Sequence, residues 1–194
     1  MKPWYVAPVA FLLGLSLFVL ACGGGDDDGG NGAPPEGPTG VVSVDTALVA
    51  LDAHDGRALA TQVVLSGVAC TTADGVGGPP KCASGEANGT EVQVLAAAAC
   101  EGYYLRPDEV EAALANFVTG NNVRVHSVYQ QSVPDLLPGD YIVLLTYVDQ
   151  ALAGTRAREL FLTDAGITGV FLGCSTTVAQ LQQDHGLTNP ILTR

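Results

Sequence analysis

Tyr141-Ile142-Val143-Leu144-Leu145-Thr146-Tyr147-Val148 carries apolar side chains at odd and even positions alike. Its β-branched and aromatic content reads as a strand. Side chains on a strand alternate between two faces, so this one is apolar on both and has to be covered twice. The neighbouring segments also read as strands: Val123 to Gln130, Asp140 to Val148, Arg156 to Thr163 and Ile167 to Gly173, with Pro138-Gly139 and Asp164-Ala165-Gly166 as turns. Together they make an antiparallel meander. One of its faces meets helices. The other is to be closed by the curl of the Arg156 to Thr163 strand, by the C-terminal segment from Thr176 to His185, or by a second copy of the chain in a homodimer.

The helices lie upstream. Arg106-Pro107-Asp108-Glu109-Val110 opens the clearest one: Pro107 suits a first turn, Asp108, Glu109 and Glu111 complement the helix dipole, and Val110, Leu114, Phe117 and Val118 share a face before Gly120 stops the helix. Before it, Thr90-Glu91-Val92-Gln93-Val94-Leu95 alternates as a strand that runs into Ala96 to Ala99. At the start of the domain Val44, Ala47, Leu48 and Leu51 fall at helical spacing, and Asp55 can cap a second helix bearing Leu59 and Val63. A hairpin turning at Asp55-Gly56 is the alternative there. Strict alternation fails around Ala47-Leu48 and Ala58-Leu59-Ala60, which favours the helices. The order of elements predicts an α+β class, with helices packed on one face of a curved antiparallel sheet. Residues 41–194 read as a single α+β domain.

The N-terminus has a different composition. An apolar run from Val6 to Leu20 follows Lys2 and ends at small Ala21 and then Cys22, the layout of a secretory signal. A spanning helix needs about 20 apolar residues, and the run is shorter. Val19-Leu20-Ala21-Cys22 resembles the lipobox of bacterial lipoproteins, in which the Cys becomes linked to diacylglycerol before the signal is removed. The resemblance implies that residues 1–21 are a cleaved signal peptide. It also implies that Cys22 is the lipidated first mature residue, carrying fatty acyl chains such as palmitate. In that family a Gly after the Cys, here Gly23, goes with the outer membrane rather than the inner membrane of the cell envelope. Residues 22–40 then form a lipidated Cys and a flexible Gly/Asp/Pro tether that can bury nothing. Asp26, Asp27 and Asp28 do not continue into a calcium loop, because Gly29 and Pro38 fall at ligand positions.

With Cys22 lipidated, Cys70, Cys82, Cys100 and Cys174 remain in an exported chain, which predicts disulfides. Cys70 and Cys82 bracket Thr71 to Lys81, a Gly- and Pro-rich loop with little means of ordering itself. A local bridge there leaves Cys100 for Cys174. No metal is expected, since the chain has no Cys-x-x-Cys and His54, His126 and His185 are scattered. There are 20 acidic against 8 basic residues, a formal net charge of −12, and no basic patch, so nucleic acid is excluded as a partner.

Val44-Asp45 through Ala53-His54-Asp55-Gly56 to Leu59-Ala60, and Arg158-Glu159-Leu160 through Asp164-Ala165-Gly166-Ile167-Thr168-Gly169-Val170, resemble the opening helix pair and final hairpin of the nuclear transport factor two-like, or polyketide-cyclase-like, fold. That resemblance implies a conical pocket serving isomerases, dehydratases, cyclases or plain binding modules. No family acid or base can be carried over, because no motif anchors one. The pocket candidates are Tyr103 and Tyr104 as lids before the third helix, Tyr129, and His126, which alternation puts outward with Arg124, Val128 and Gln130. No carboxylate or histidine is left over on an apolar face. The expectation is therefore an envelope lipoprotein with a non-catalytic binding or structural domain and no cofactor, its partners being the membrane through the anchor and a small apolar ligand or a protein. A cyclase- or isomerase-like pocket enzyme is the alternative.

Overall fold

Asp45 fastens the start of the described chain. Its Oδ1 accepts from the Thr39 backbone N–H at 3.0 Å and from the Thr39 hydroxyl at 2.7 Å. The structure is a computed structural model that describes residues 37–119, 122–131, 137–151 and 153–194. The segment expected to be a signal peptide (1–21), Cys22, the expected tether up to residue 36 and Gly120 lie outside the described residues. Among the described residues no helix is long and apolar enough to cross a membrane.

Helix α1 (Val42–Asp52) buries Val44, Ala47, Leu48 and Leu51, the stripe expected of it. His54 takes a positive φ of 53° that ends the turn, and α2 (Gly56–Ala60) starts at Asp55, whose carboxylate accepts from the Ala58 N–H at 2.9 Å. Asp55-Gly56 is thus a cap rather than a hairpin. Gly56 is required by packing: a Cβ there would sit 2.4 Å from the Ala115 Cα, so α2 crosses α3 (Pro107–Val118) at backbone contact. Val63 lies beyond α2 and bridges to Ile167 instead. In α3 the Glu109 carboxylate accepts from the Arg106 N–H at 2.7 Å, satisfying one of the orphan donors of the first turn. Val110, Leu114, Phe117 and Val118 are buried as expected.

Among the described residues eight strands form one curved sheet: β1 (Ser66–Ala69), β2 (Glu91–Ala98), β3 (Gly102–Leu105), β4 (Arg124–Gln130), β5 (Tyr141–Asp149), β6 (Gly154–Thr163), β7 (Gly166–Phe171) and β8 (Leu192–Thr193). The meander β4–β5–β6–β7 is antiparallel throughout. The sheet as a whole is mixed, because β2 joins β7 in parallel through Ala96–Gly169, Ala97–Val170 and Ala98–Phe171. The chain between those two strands runs through β3, α3 and β4–β6, far longer than the dozen or so residues that a parallel pairing requires. Strands β1, β3 and β8 were not legible from alternation. They are short and partly exposed, and β2 or β4 supplies their hydrogen bonds.

Both faces of β5 are buried. Val143 and Leu145 join Leu95, Leu160, Leu162 and Val170 beneath α1, α2 and α3 in the main core. Ile142 and Leu144 face the other way and pack with Ala157, Phe161 and Leu181. Leu181 belongs to α4 (Val178–Asp184), so one helix lies on the face opposite the other three. The second cover therefore comes from the chain's own C-terminal segment. Cys70–Cys82 and Cys100–Cys174 are both bonded, the second across 74 residues of sequence.

Candidate functional site

The alternation of β6 decides what lies beneath α4. Arg158 points to the helix-covered face, where its guanidinium stacks 4.2 Å from the Tyr147 ring centroid and donates to the Phe117 carbonyl at the end of α3. Ala157, Glu159 and Phe161 point to the opposite face. Glu159 pairs with Leu144 of β5 and Phe171 of β7, so it sits in the middle of the sheet, and only 1% of it is exposed.

Helix α4 is held over this residue by its two ends and one side. At its start the Thr177 hydroxyl accepts from the Gln180 N–H at 3.3 Å, and the Gln180 side chain accepts from the Thr177 N–H at 3.0 Å, a reciprocal cap. Upstream, the Cys100–Cys174 bond and the hydrogen bond from the Ala157 N–H to the Thr176 carbonyl (2.8 Å) tie the entering chain to the sheet. Gln182 donates to the Tyr129 hydroxyl at 2.6 Å. Past the last turn, His185 comes back over Glu159. Its Nε2 is 3.4 Å from Glu159 Oε2, and its ring meets Phe161 edge-on with centroids 6.5 Å apart.

Between α4 and the sheet lies a chamber of about 350 Å³, walled by Ala98, Leu137, Phe161, Phe171 and Leu181. Its polar groups are Glu159, His185, Asp184, Glu101 and Thr176. Glu159, which lines it, has its Oε1 buried without a hydrogen-bond partner among the described residues. Burial, and after it the negative charge of Asp184, pushes the Glu159 carboxyl up to about 8. Burial pushes His185 below its ordinary 6.5. Both shifts favour the neutral forms. A separation of 3.4 Å agrees with that, being longer than the roughly 2.7–2.9 Å of a charge-assisted bond. Near neutral pH the pair is a carboxylic acid facing an imidazole. One can donate and the other accept, which is the equipment of general acid–base chemistry and of polar ligand recognition.

The expected pocket residues occupy three separate places. Tyr129 is buried on the α4 face but lies outside the lining of the chamber. Tyr103 and Tyr104 lie on strand β3, just before α3, and both are partly buried against the core. With Arg106 and Glu109 both tyrosines border a hollow of about 310 Å³ under the Gly75 to Lys81 loop. Burial and the charge of Glu109 raise the Tyr103 hydroxyl above its ordinary 10.0.

His126 departs from the outward placement. Register along β4 shifts between Val125 (opposite Leu145) and Ser127 (opposite Leu144), so His126 is the extra residue of a bulge. Beyond the bulge the faces exchange. Val128 turns inward with Val125, and half-buried His126 meets the Ser127 hydroxyl at 2.8 Å. It lines an open cleft of about 730 Å³ with His54 and the Asp52–Arg194 ion pair. His54 Nδ1 there lies 3.2 Å from the Val118 carbonyl, at the end of α3.

Glu159 overturns the expectation that no carboxylate falls on an apolar face. Its signal was present in the sequence, since Ala157, Glu159 and Phe161 at alternate positions place one acid in an apolar stripe. His185 carried no such signal, because only the fold of the C-terminal segment brings it there. The Cys70, Cys82 and Glu86 ligand atoms lie within 4.8 Å of one another, but the disulfide consumes both thiols, so this group cannot coordinate zinc as thiolates. No family model, no curated protein and no solved structure matches the chain.

Proposed function

We propose that the protein is a lipid-anchored lipoprotein of the bacterial cell envelope, whose domain binds a small molecule in the chamber beneath α4. The observation that carries the binding half is Glu159 Oε1, a buried polar atom with no hydrogen-bond partner among the described residues, on a residue that lines the hollow. Leaving such an atom unpaired costs about 1–3 kcal/mol, and a ligand that pairs with it recovers that cost. The volume is at the small end of ligand sites, about 300–1,000 Å³. The anchoring half rests on Val19-Leu20-Ala21-Cys22 and on the Gly-rich segment behind it. Two or more acyl chains on one Cys suffice for stable attachment.

Both halves can be tested in one preparation. Cys22→Ser is expected to move the protein from the membrane to the soluble fraction, and membrane retention of that variant removes the anchor. The chain has 1 tryptophan, Trp4 in the signal, so Phe171→Trp puts a lone reporter on the chamber wall of the mature protein. Small-molecule titrations are expected to change its emission saturably and to fail after Ala98→Trp fills the hollow. A panel of small amines, alcohols, amides and acids that gives no saturable change removes the binding module. The Glu159–His185 geometry supports a second reading, acid–base catalysis of the isomerase or cyclase kind at the same place. That reading requires turnover that is lost in both Glu159→Gln and His185→Asn.

A further inference from the structure

The chemistry of the chamber is one-sided. Glu159, Asp184 and Glu101 put three carboxyl groups on its lining, and among the described residues no lysine or arginine lines it. The whole chain carries a formal net charge of −12. An anionic ligand meets like charge on approach and at the wall, whereas a cation is drawn in. Phe161 and Phe171 supply aromatic walls, and a desolvated cation against an aromatic face is attracted by the ring quadrupole. A bare divalent metal fits poorly. Among the described residues the convergent ligand group within 4.8 Å is the disulfide-bonded Cys70 and Cys82 with Glu86, so the chamber carboxylates do not close on a single ion.

From these observations we infer that the chamber binds a small organic amine as its ammonium ion. Glu159 is the counter-ion, Phe161 and Phe171 are the walls, and Asp184 and Glu101 attract the ligand at the mouth. The inference rests on the chamber being a ligand site, as proposed above, and adds the class of ligand. It accounts for a carboxyl at the centre of a sheet that has one oxygen without a partner among the described residues and an imidazole beside the other.

Binding is then linked to a proton. Free Glu159 is protonated at pH 7, because burial and Asp184 hold its pKa at about 8. The ammonium stabilises the carboxylate, so the ligand enters with its positive charge, the Glu159 O–H bond breaks, and one proton leaves to solvent for each ion pair formed. The ionisable groups that line the chamber with Glu159 are Asp184 at the end of α4, His185 just after it and Glu101 from the β2–β3 turn, while its strand neighbours Leu144 and Phe171 are uncharged. Burial disfavours a proton on His185, and an ammonium beside it disfavours that proton further, so His185 does not retain what Glu159 releases.

The test is calorimetric titration of the purified protein with benzylamine and with benzyl alcohol, a neutral probe of the same shape, each at pH 7 in two buffers of different ionisation enthalpy. The expected result is saturable benzylamine binding with close to one proton released, at least about tenfold tighter than benzyl alcohol, a ratio that corresponds to ~1.4 kcal/mol. In Glu159→Gln the preference and the proton release both disappear, while Ala98→Trp abolishes binding of either probe. Equal affinity for the two probes, or benzylamine binding unchanged in Glu159→Gln, overturns the amine assignment and leaves the chamber a ligand site. Absence of Ala98-sensitive binding for either probe overturns the amine assignment too, and the panel above then decides the chamber itself.

Discussion

Glu159→Gln keeps the shape of the side chain under α4 and removes its proton equilibrium. In the folded chain the carboxyl holds its proton to about pH 8, against an ordinary value of 4.5 in the unfolded chain. Between those limits the native state binds more protons, so the contribution of Glu159 to wild-type stability is greatest below 4.5 and falls as pH rises toward 8. At ~1.36 kcal/mol per pH unit, the interval from 4.5 to 7 removes about 3 kcal/mol. Gln does not titrate and escapes that loss. The variant should therefore match wild type within about 1 kcal/mol at pH 4 and exceed it by about 3 kcal/mol at pH 7, or roughly 6–12 °C in Tm for a domain of this size. His185 acts in the opposite sense. Its lowered pKa means that the unfolded state binds more protons below 6.5, so stability is lost there as pH falls. That loss is common to both proteins and largely cancels in their difference. Urea unfolding of the two, disulfides intact, from pH 4 to 8.5 gives the comparison. A stability difference that does not change with pH would refute a protonated native Glu159, and the proton release inferred for ligand binding would fall with it.

Two further outcomes test the frame around the chamber. Gly56→Ala drives a Cβ into the α3 backbone at Ala115 and should cost about 1–3 kcal/mol in urea unfolding, whereas an unchanged midpoint would mean that α2 and α3 do not touch there. Replacing both Cys100 and Cys174 with Ser opens a closure of 74 residues; the chain-entropy estimate is about 4 kcal/mol, and faster amide exchange in α4 than in α3 should accompany it, while uniform exchange would show that the bond does not hold α4 in place.

What was legible in the sequence was what neighbouring residues encode together. Helix α3 could be read because Pro107, the acidic first turn and the Val110, Leu114, Phe117 stripe all act within one segment. Strands β5, β6 and β7 could be read because residues two apart share a face and Gly- or Pro-bearing turns separate the runs. The disulfide partners followed from parity and from one loop too poor in apolar residues to order itself. The double-sided β5 even stated that a second cover was needed. Tertiary structure alone decided what that cover is, because an apolar face records that it must be buried and not which segment buries it. The same limit hid β1, β3 and β8, whose ladder partners lie elsewhere in the chain, and the parallel β2–β7 pairing. It also hid the bulge at His126, an extra residue relative to β5 that no local period in β4 reveals. Glu159 stood visible on its apolar stripe. Its chemistry was not visible, since a carboxyl pKa depends on what excludes water and what charge stands nearby, and those are set by α4 closing over the sheet with Asp184 and His185 at its end.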